Sequence, residues 1–185
     1  GGSLMPSGLT RSLTRAELRD LVRFLSEIGK IGNYSVTKES TARRWRVLEK
    51  VPVGFEAGGR SAVGGPGDAG LSWIPAYSRV SGDLPLSALS GGSKKGTGYA
   101  WSQLRVVTSG ELRLGLNSVD GLRLWVGGKE INLEAGKSRS GLLQLPVGVH
   151  PVLFRVDLGK RSEGVRCFVD DLPGSRGRAQ FVVGS

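Results

Sequence analysis

The feature that most constrains this chain is a repeated alternation of apolar and polar residues, which begins near Arg44 and continues almost to the end. Leu112, Leu114 and Leu116, for example, are separated by polar or small residues. A period of two is that of a β-strand with one buried face. Nine segments read as strands, at 45–50, 71–80, 101–108, 112–116, 122–126, 142–147, 150–157, 165–169 and 179–183. Because no helical pattern lies between them, they predict a mainly β fold, an antiparallel β-sandwich or jelly roll.

One segment before the strands has the period of a helix. At its start Thr14 and Glu17 form a T-x-x-E capping box, and Gly29 suits the residue after its last turn. Its apolar residues form one stripe, which comprises Leu18, Leu21, Val22, Leu25 and Ile28. The sequence therefore predicts one N-terminal amphipathic helix over 13–29, docked on the sandwich by this stripe.

The net charge favours anionic partners, since 26 Lys and Arg against 16 Asp and Glu give +10. Proteins that read nucleic acids usually cluster their basic residues on one element. Here the basic residues are spread between Arg11 and Arg178, so we do not expect nucleic-acid binding, and an acidic partner or an ordinary basic surface remain open. No apolar run approaches the roughly 20 residues of a membrane span, so none is expected.

The rare residues argue against catalysis and against a metal centre. The single Cys, Cys167, cannot form an internal disulfide, and with the single His, His150, it falls short of the three or four ligands of zinc. Cys167 shares a strand face with Val165 and Val169, which predicts a buried thiol. No phosphate-binding loop, nucleophile elbow or H-E-x-x-H helix is found. We therefore expect no catalytic residues and no metal.

The N-terminal segment carries a first resemblance. Ser-Leu-Met-Pro-Ser-Gly-Leu at 3–9, with the helix residues that follow, resembles the end of the haem domain in PVC-type c-type cytochromes of large secreted bacterial proteins. The resemblance implies that Met5 is an axial haem ligand in a longer parent protein, which would be extracytoplasmic. The chain contains no C-x-x-C-H motif, so we expect no cofactor in this chain itself. The implied organisation is a haem-domain tail at 1–30, a linker at 31–43 and a β-sandwich module at 44–185.

A second resemblance lies within the strands. The segment 110–129, with its Asp120-Gly121 and Gly127-Gly128-Lys129 turns, and the segment 145–154 look like the core of protective-antigen-like carbohydrate-binding sandwiches. Hairpin turns in any antiparallel sheet could produce the same dipeptides. The acidic pair Asp170-Asp171 lies outside these segments and reads as structural.

Carbohydrate binding would require exposed aromatic rings, because sugars stack on them. The candidate ligand-binding residues are Trp73, Tyr77, Tyr99, Trp101, Trp125 and Asp120. Burial of the rings in the core is the alternative. The sequence thus predicts a non-catalytic accessory module that binds a ligand or a neighbouring domain of the parent protein. A lectin-like carbohydrate-binding domain, and a structural docking unit of an electron-transfer oxidoreductase, remain open.

Overall fold

The computed structural model describes residues 13–27, 39–51, 66, 70–90, 96–132 and 140–182. It divides the chain into two compact units, Gly1–Lys38 and Glu39–Ser185. Within the described ranges, neither helix is long and apolar enough to cross a membrane. The two units are treated separately below.

The first unit contains helix α1 (Arg15–Glu27), which begins at the predicted cap. The backbone N–H of Thr14 donates to the Glu17 carboxylate at 2.7 Å, and the Glu17 N–H donates to Thr14 Oγ1 at 3.3 Å, so the capping box is confirmed. The hydrogen bonds from Thr14 lower the pKa of Glu17. The described stripe residues Leu18, Leu21, Val22 and Leu25 are exposed. Docking of the helix on the sandwich stays a prediction, and Ile28 and Gly29 lie outside the described residues.

The second unit is an antiparallel β-sandwich, as the alternation predicts. Its described elements are β1 (Ser40–Thr41), β2 (Arg44–Leu48), β3 (Trp73–Tyr77), α2 (Leu86–Ser90), β4 (Thr97–Thr108), β5 (Gly110–Leu116), β6 (Leu122–Val126), β7 (Lys129–Ile131), β8 (Ser140–Leu145), β9 (Gly148–Asp157), β10 (Cys167–Asp170) and β11 (Arg178–Phe181). The predicted N-terminal helix is joined by a second helix, the five-residue α2, which the sequence did not predict because it is too short to show a period. The strands β1 and β7 were not predicted for the same reason.

Strand β4 begins at Thr97, four residues before the predicted strand at 101–108 and inside a segment rich in Gly and Ser. Gly98 pairs with Val156 of β9, and a Cβ at Gly98 would stand 2.9 Å from the Leu89 Cβ of α2. The glycine is therefore explained by the close approach of helix and strand rather than by a turn.

Two sheets enclose the main core. One has the order β1-β10-β5-β8, and the other has the order β3-β2-β4-β9-β6-β7 with β11 also paired to β4. Leu112 and Leu114 of the first sheet and Leu104 and Phe154 of the second belong to one buried cluster. Cys167 lies in it with no exposed surface, and burial raises the pKa of its thiol. Its predicted place on the Val165 and Val169 face is confirmed.

Candidate functional site

The larger sheet carries aromatic side chains on the face that points away from the main core. Side chains alternate along a strand, so residues between the core residues of this sheet must lie on its outer face. The register pairs Arg46 with Trp101, Trp101 with Leu153, and Leu153 with Trp125. Four strands thus place these side chains in one row across the outer face.

Part of this face is closed. Four side chains form a second buried cluster, called the aromatic cluster here: Leu48, Tyr99, Trp125 and Leu153. Trp73 and Trp101 are partly buried and pack against it. Tyr99 is 1% exposed and Trp125 is 3% exposed, so neither ring offers a stacking face to solvent.

An ion pair lies over the aromatic cluster. The Arg123 guanidinium lies 5.1 Å from the centre of the Trp125 ring. Its Nε and Nη2 also donate to the Glu130 carboxylate at 2.8 and 3.0 Å. Both residues line a cavity of about 370 Å³ beside β7. Because these two charges already satisfy one another, that cavity is a poor candidate for a charged ligand.

A second part of the outer face is open, and we call it the groove. It encloses about 90 Å³ and is lined by Arg44, Trp45, Arg46, Pro75, Tyr77, Trp101, Ser102, Gln103 and Val182. Two of the predicted ligand-binding residues, Tyr77 and Trp101, therefore meet here. Trp73, Tyr99 and Trp125 do not line it.

The groove lies where the strand paired with one edge of β4 changes from β2 to β11. Strand β2 pairs with β4 at Trp101, and β11 pairs with β4 from Leu104 onward. Between these points the hydroxyl of Ser102 donates to the Arg44 carbonyl at 3.1 Å, and the Val182 N–H donates to the Gln103 carbonyl at 2.9 Å. The two neighbours thus meet at a seam beside Gln103, and this seam forms the floor of the groove.

Buried contacts hold the β2 side of the groove in place. The Trp45 indole donates to Ser78 Oγ at 2.8 Å, and that hydroxyl donates to the Ala42 carbonyl at 2.9 Å. On its other side the Trp45 ring meets Phe154 edge-on at 5.5 Å. The strand that carries Arg44 and Arg46 is therefore fixed to the main core, so the groove is preformed.

Three polar side chains of the groove are free to contact a ligand. Within the part of the chain that the structure describes, the side chains of Arg44, Arg46 and Gln103 have no hydrogen-bond or ion-pair partner. Tyr77 is 63% exposed. The indole N–H of Trp101 is buried without a partner, so this ring can offer a ligand a stacking surface but not a hydrogen bond.

Asp120 lies apart from the aromatic residues, in the turn before β6. Its carboxylate accepts from Ser118 Oγ at 2.8 Å, and its carbonyl accepts from Arg161 at 3.0 Å. Arg161 is 5% exposed, and its five hydrogen bonds reach Asn117, Ser118, Asp120, Glu163 and Gly164. Desolvation lowers the pKa of this guanidinium. Asp120 thus takes part in a loop-fixing network in which all five donors of the arginine are used.

The remaining acidic residues do not assemble a cation site. The carboxylates of Asp170 and Asp171 pair with Arg113 and Arg178 respectively, which supports the structural reading of this acidic pair. Across the described ranges no three His, Cys, Asp or Glu side chains come together to hold a metal ion.

The axial haem ligand that the resemblance implies, Met5, lies outside the described residues. His150 contacts the Pro146 carbonyl through Nε2 at 2.8 Å, so this imidazole nitrogen already has a partner within its own turn. With no C-x-x-C-H in the sequence, the chain lacks the covalent attachment and the proximal histidine of a c-type haem.

Sequence reasoning missed Arg44, Arg46 and Gln103 as site residues. The two arginines alternate with Trp45 and Val47, which indicated an exposed face but not what lies beside it. Gln103 is distant from them in sequence, and only strand pairing brings it to the same groove.

Comparison of the chain with known protein families, with curated proteins and with solved structures finds no match.

Proposed function

We propose that the sandwich of the second unit is a non-catalytic carbohydrate-binding module whose binding site is the groove. The observation that carries the proposal is that two partly exposed rings, Tyr77 and Trp101, lie beside three polar side chains without a partner among the described residues. These are the guanidinium groups of Arg44 and Arg46 and the amide of Gln103.

A sugar has the surface that such a groove complements. Its ring offers an apolar face that stacks on an aromatic side chain, and its hydroxyl groups accept or donate hydrogen bonds at the edge. The guanidinium groups supply donors only, whereas the Gln103 amide supplies both a donor and an acceptor. A volume of about 90 Å³ suits part of one sugar ring rather than a long chain. We therefore expect a dissociation constant between micromolar and millimolar.

The composition of the groove favours binding over catalysis. The described residues that line it include no carboxylate, histidine or cysteine, so they supply no general acid, general base or strong nucleophile. We propose further that the module is an accessory unit of an extracytoplasmic multidomain haem protein. That wider setting rests on the resemblance of residues 3–29 alone. A purely structural unit is the alternative.

A glycan array with the purified chain tests carbohydrate binding. For any glycan that binds, Tyr77→Ala should weaken the affinity about five- to tenfold, since a stacked ring contributes on the order of 1 kcal/mol. The matched control is Ile74→Ala, on the same strand with its side chain 41% exposed but outside the groove. An array without hits, or equal losses in both variants measured by isothermal titration calorimetry, would contradict the proposal and leave the structural alternative.

A further inference from the structure

The groove carries positive charge with no acidic partner. The register places Arg46 beside Trp101, and two residues further along both strands Arg44 comes beside Gln103. Another two residues along β4, Arg105 pairs with Gln180 of β11. Alternation puts all three arginines on the outer face of the neighbouring strands β2 and β4. In the described part of the chain none of the three pairs with a carboxylate.

Other arginines of the sandwich show what such a group does when an acid is within reach. Arg113, Arg123, Arg166 and Arg178 each pair with an Asp or Glu side chain. The groove differs because every titratable side chain that lines it, apart from the Tyr77 phenol, is a cation. A neutral sugar would leave these charges uncompensated, whereas an anionic sugar would pair with them.

We propose that the groove selects an anionic sugar residue, one that carries a carboxylate or a sulfate group, through Arg44 and Arg46. This inference rests on the proposed carbohydrate function and adds the charge class of the ligand. Residues two apart on one strand face are separated by about 7 Å, so the two guanidinium groups can approach one anionic group together. The planar guanidinium donates two parallel hydrogen bonds to carboxylate or sulfate oxygens, while the ring stacks on Tyr77 and Trp101.

The test compares four polymers by affinity electrophoresis of the full chain in about 0.15 M salt. Dextran is neutral, polygalacturonate carries only carboxylates, dextran sulfate carries only sulfates, and polyphosphate is an anion without sugar. We expect polygalacturonate or dextran sulfate to bind at least tenfold more tightly than dextran and more tightly than polyphosphate. Which of the two binds identifies the anionic group.

Three double variants assign the effect to the groove. Arg44→Gln with Arg46→Gln should reduce binding of the preferred polymer at least tenfold. Arg44→Lys with Arg46→Lys keeps the charge but loses the paired hydrogen bonds, so it should still lose several-fold. The control, Lys129→Gln with Arg176→Gln, removes the same charge at exposed sites outside the groove and should change binding less than twofold. Unaltered circular dichroism and thermal unfolding show that each variant is folded.

The outcomes separate the two proposals. Dextran binding equal to that of the charged polymers, with sensitivity to Tyr77→Ala, would overturn the anionic preference and leave carbohydrate binding intact. Polyphosphate binding as tight as that of the charged sugars, with no effect of Tyr77→Ala, would overturn both, because charge alone would then explain retention. Equal losses in the Gln variant and in the Lys129 control would also overturn the role of the groove.

Discussion

The aromatic cluster and the groove lie on the same face of the same sheet, yet one is closed and the other open. The cluster spans β2, β4, β9 and β6, which are consecutive neighbours in the sheet, so its side chains are flanked by others. The groove lies at the seam where β11 replaces β2 beside β4. The difference teaches that the exposure of a ring depends on the side chains that neighbouring strands place against it, and not on its residue type.

The largest expected effect lies in the closed region. Trp125→Ala should lower the free energy of unfolding by about 3–5 kcal/mol, because it leaves a cavity under Arg123 among buried side chains. Tyr77→Ala should change it by less than about 0.5 kcal/mol, since Tyr77 is mostly exposed. Urea denaturation measures both. Similar losses of unfolding free energy in the two variants would contradict the distinction between a stabilising cluster and an open groove.

Trp101 belongs to both regions, so its variants sharpen the comparison. Trp101→Ala should cost about 2–3 kcal/mol of stability and also weaken glycan binding. Trp101→Phe retains an aromatic ring and removes the unpartnered indole N–H, so it should cost less than about 1.5 kcal/mol and change binding less than threefold. Denaturation and calorimetry on the same samples give both values. Binding that is lost equally in both variants would mean that the stacking surface is not the contribution of Trp101.

The smallest effect concerns the ion pair over the closed cluster. The hydrogen bond from Arg123 lowers the pKa of Glu130 in the folded state. A carboxylate whose pKa is lower in the folded state than in the unfolded state stabilises the fold at pH values above its unfolded pKa, which is about 4.3. That stabilisation is lost as the pH falls through the pKa of the folded state. Both side chains are nearly half exposed, so solvent screening limits the effect to about 0.5 kcal/mol.

Urea denaturation at pH 7 and pH 3 checks this contribution. Glu130→Gln should be slightly less stable than the parent chain at pH 7, and the difference should shrink toward pH 3 as Glu130 of the parent chain becomes protonated. The control is Glu111→Gln, an exposed carboxylate of β5 without an ion pair among the described residues. A difference of the same size at both pH values would mean that Arg123 and Glu130 stabilise the cluster by packing and not by charge.

Local patterns predicted much of this architecture. The capping box set the start of α1, and alternation assigned the buried faces of β5, β6, β9 and β10. Prediction failed for β1 and β7, because two or three residues are too few to show a period of two, and for α2, because five residues are too few to show the period of a helix. Of the six predicted ligand-binding residues, only Tyr77 and Trp101 line the groove.

The sequence by itself determined which side chains share a strand face, since that depends only on the local period of two. It could not determine which strands are neighbours, because pairing joins residues far apart in the chain. Arg44, Gln103 and Val182 line one groove only because β2 and β11 reach β4 at one seam. Tyr99 and Trp125 are buried because neighbouring strands place Leu48, Leu153 and the partly buried Trp73 and Trp101 against them. The tertiary structure alone therefore decided which rings and arginines are open to a ligand.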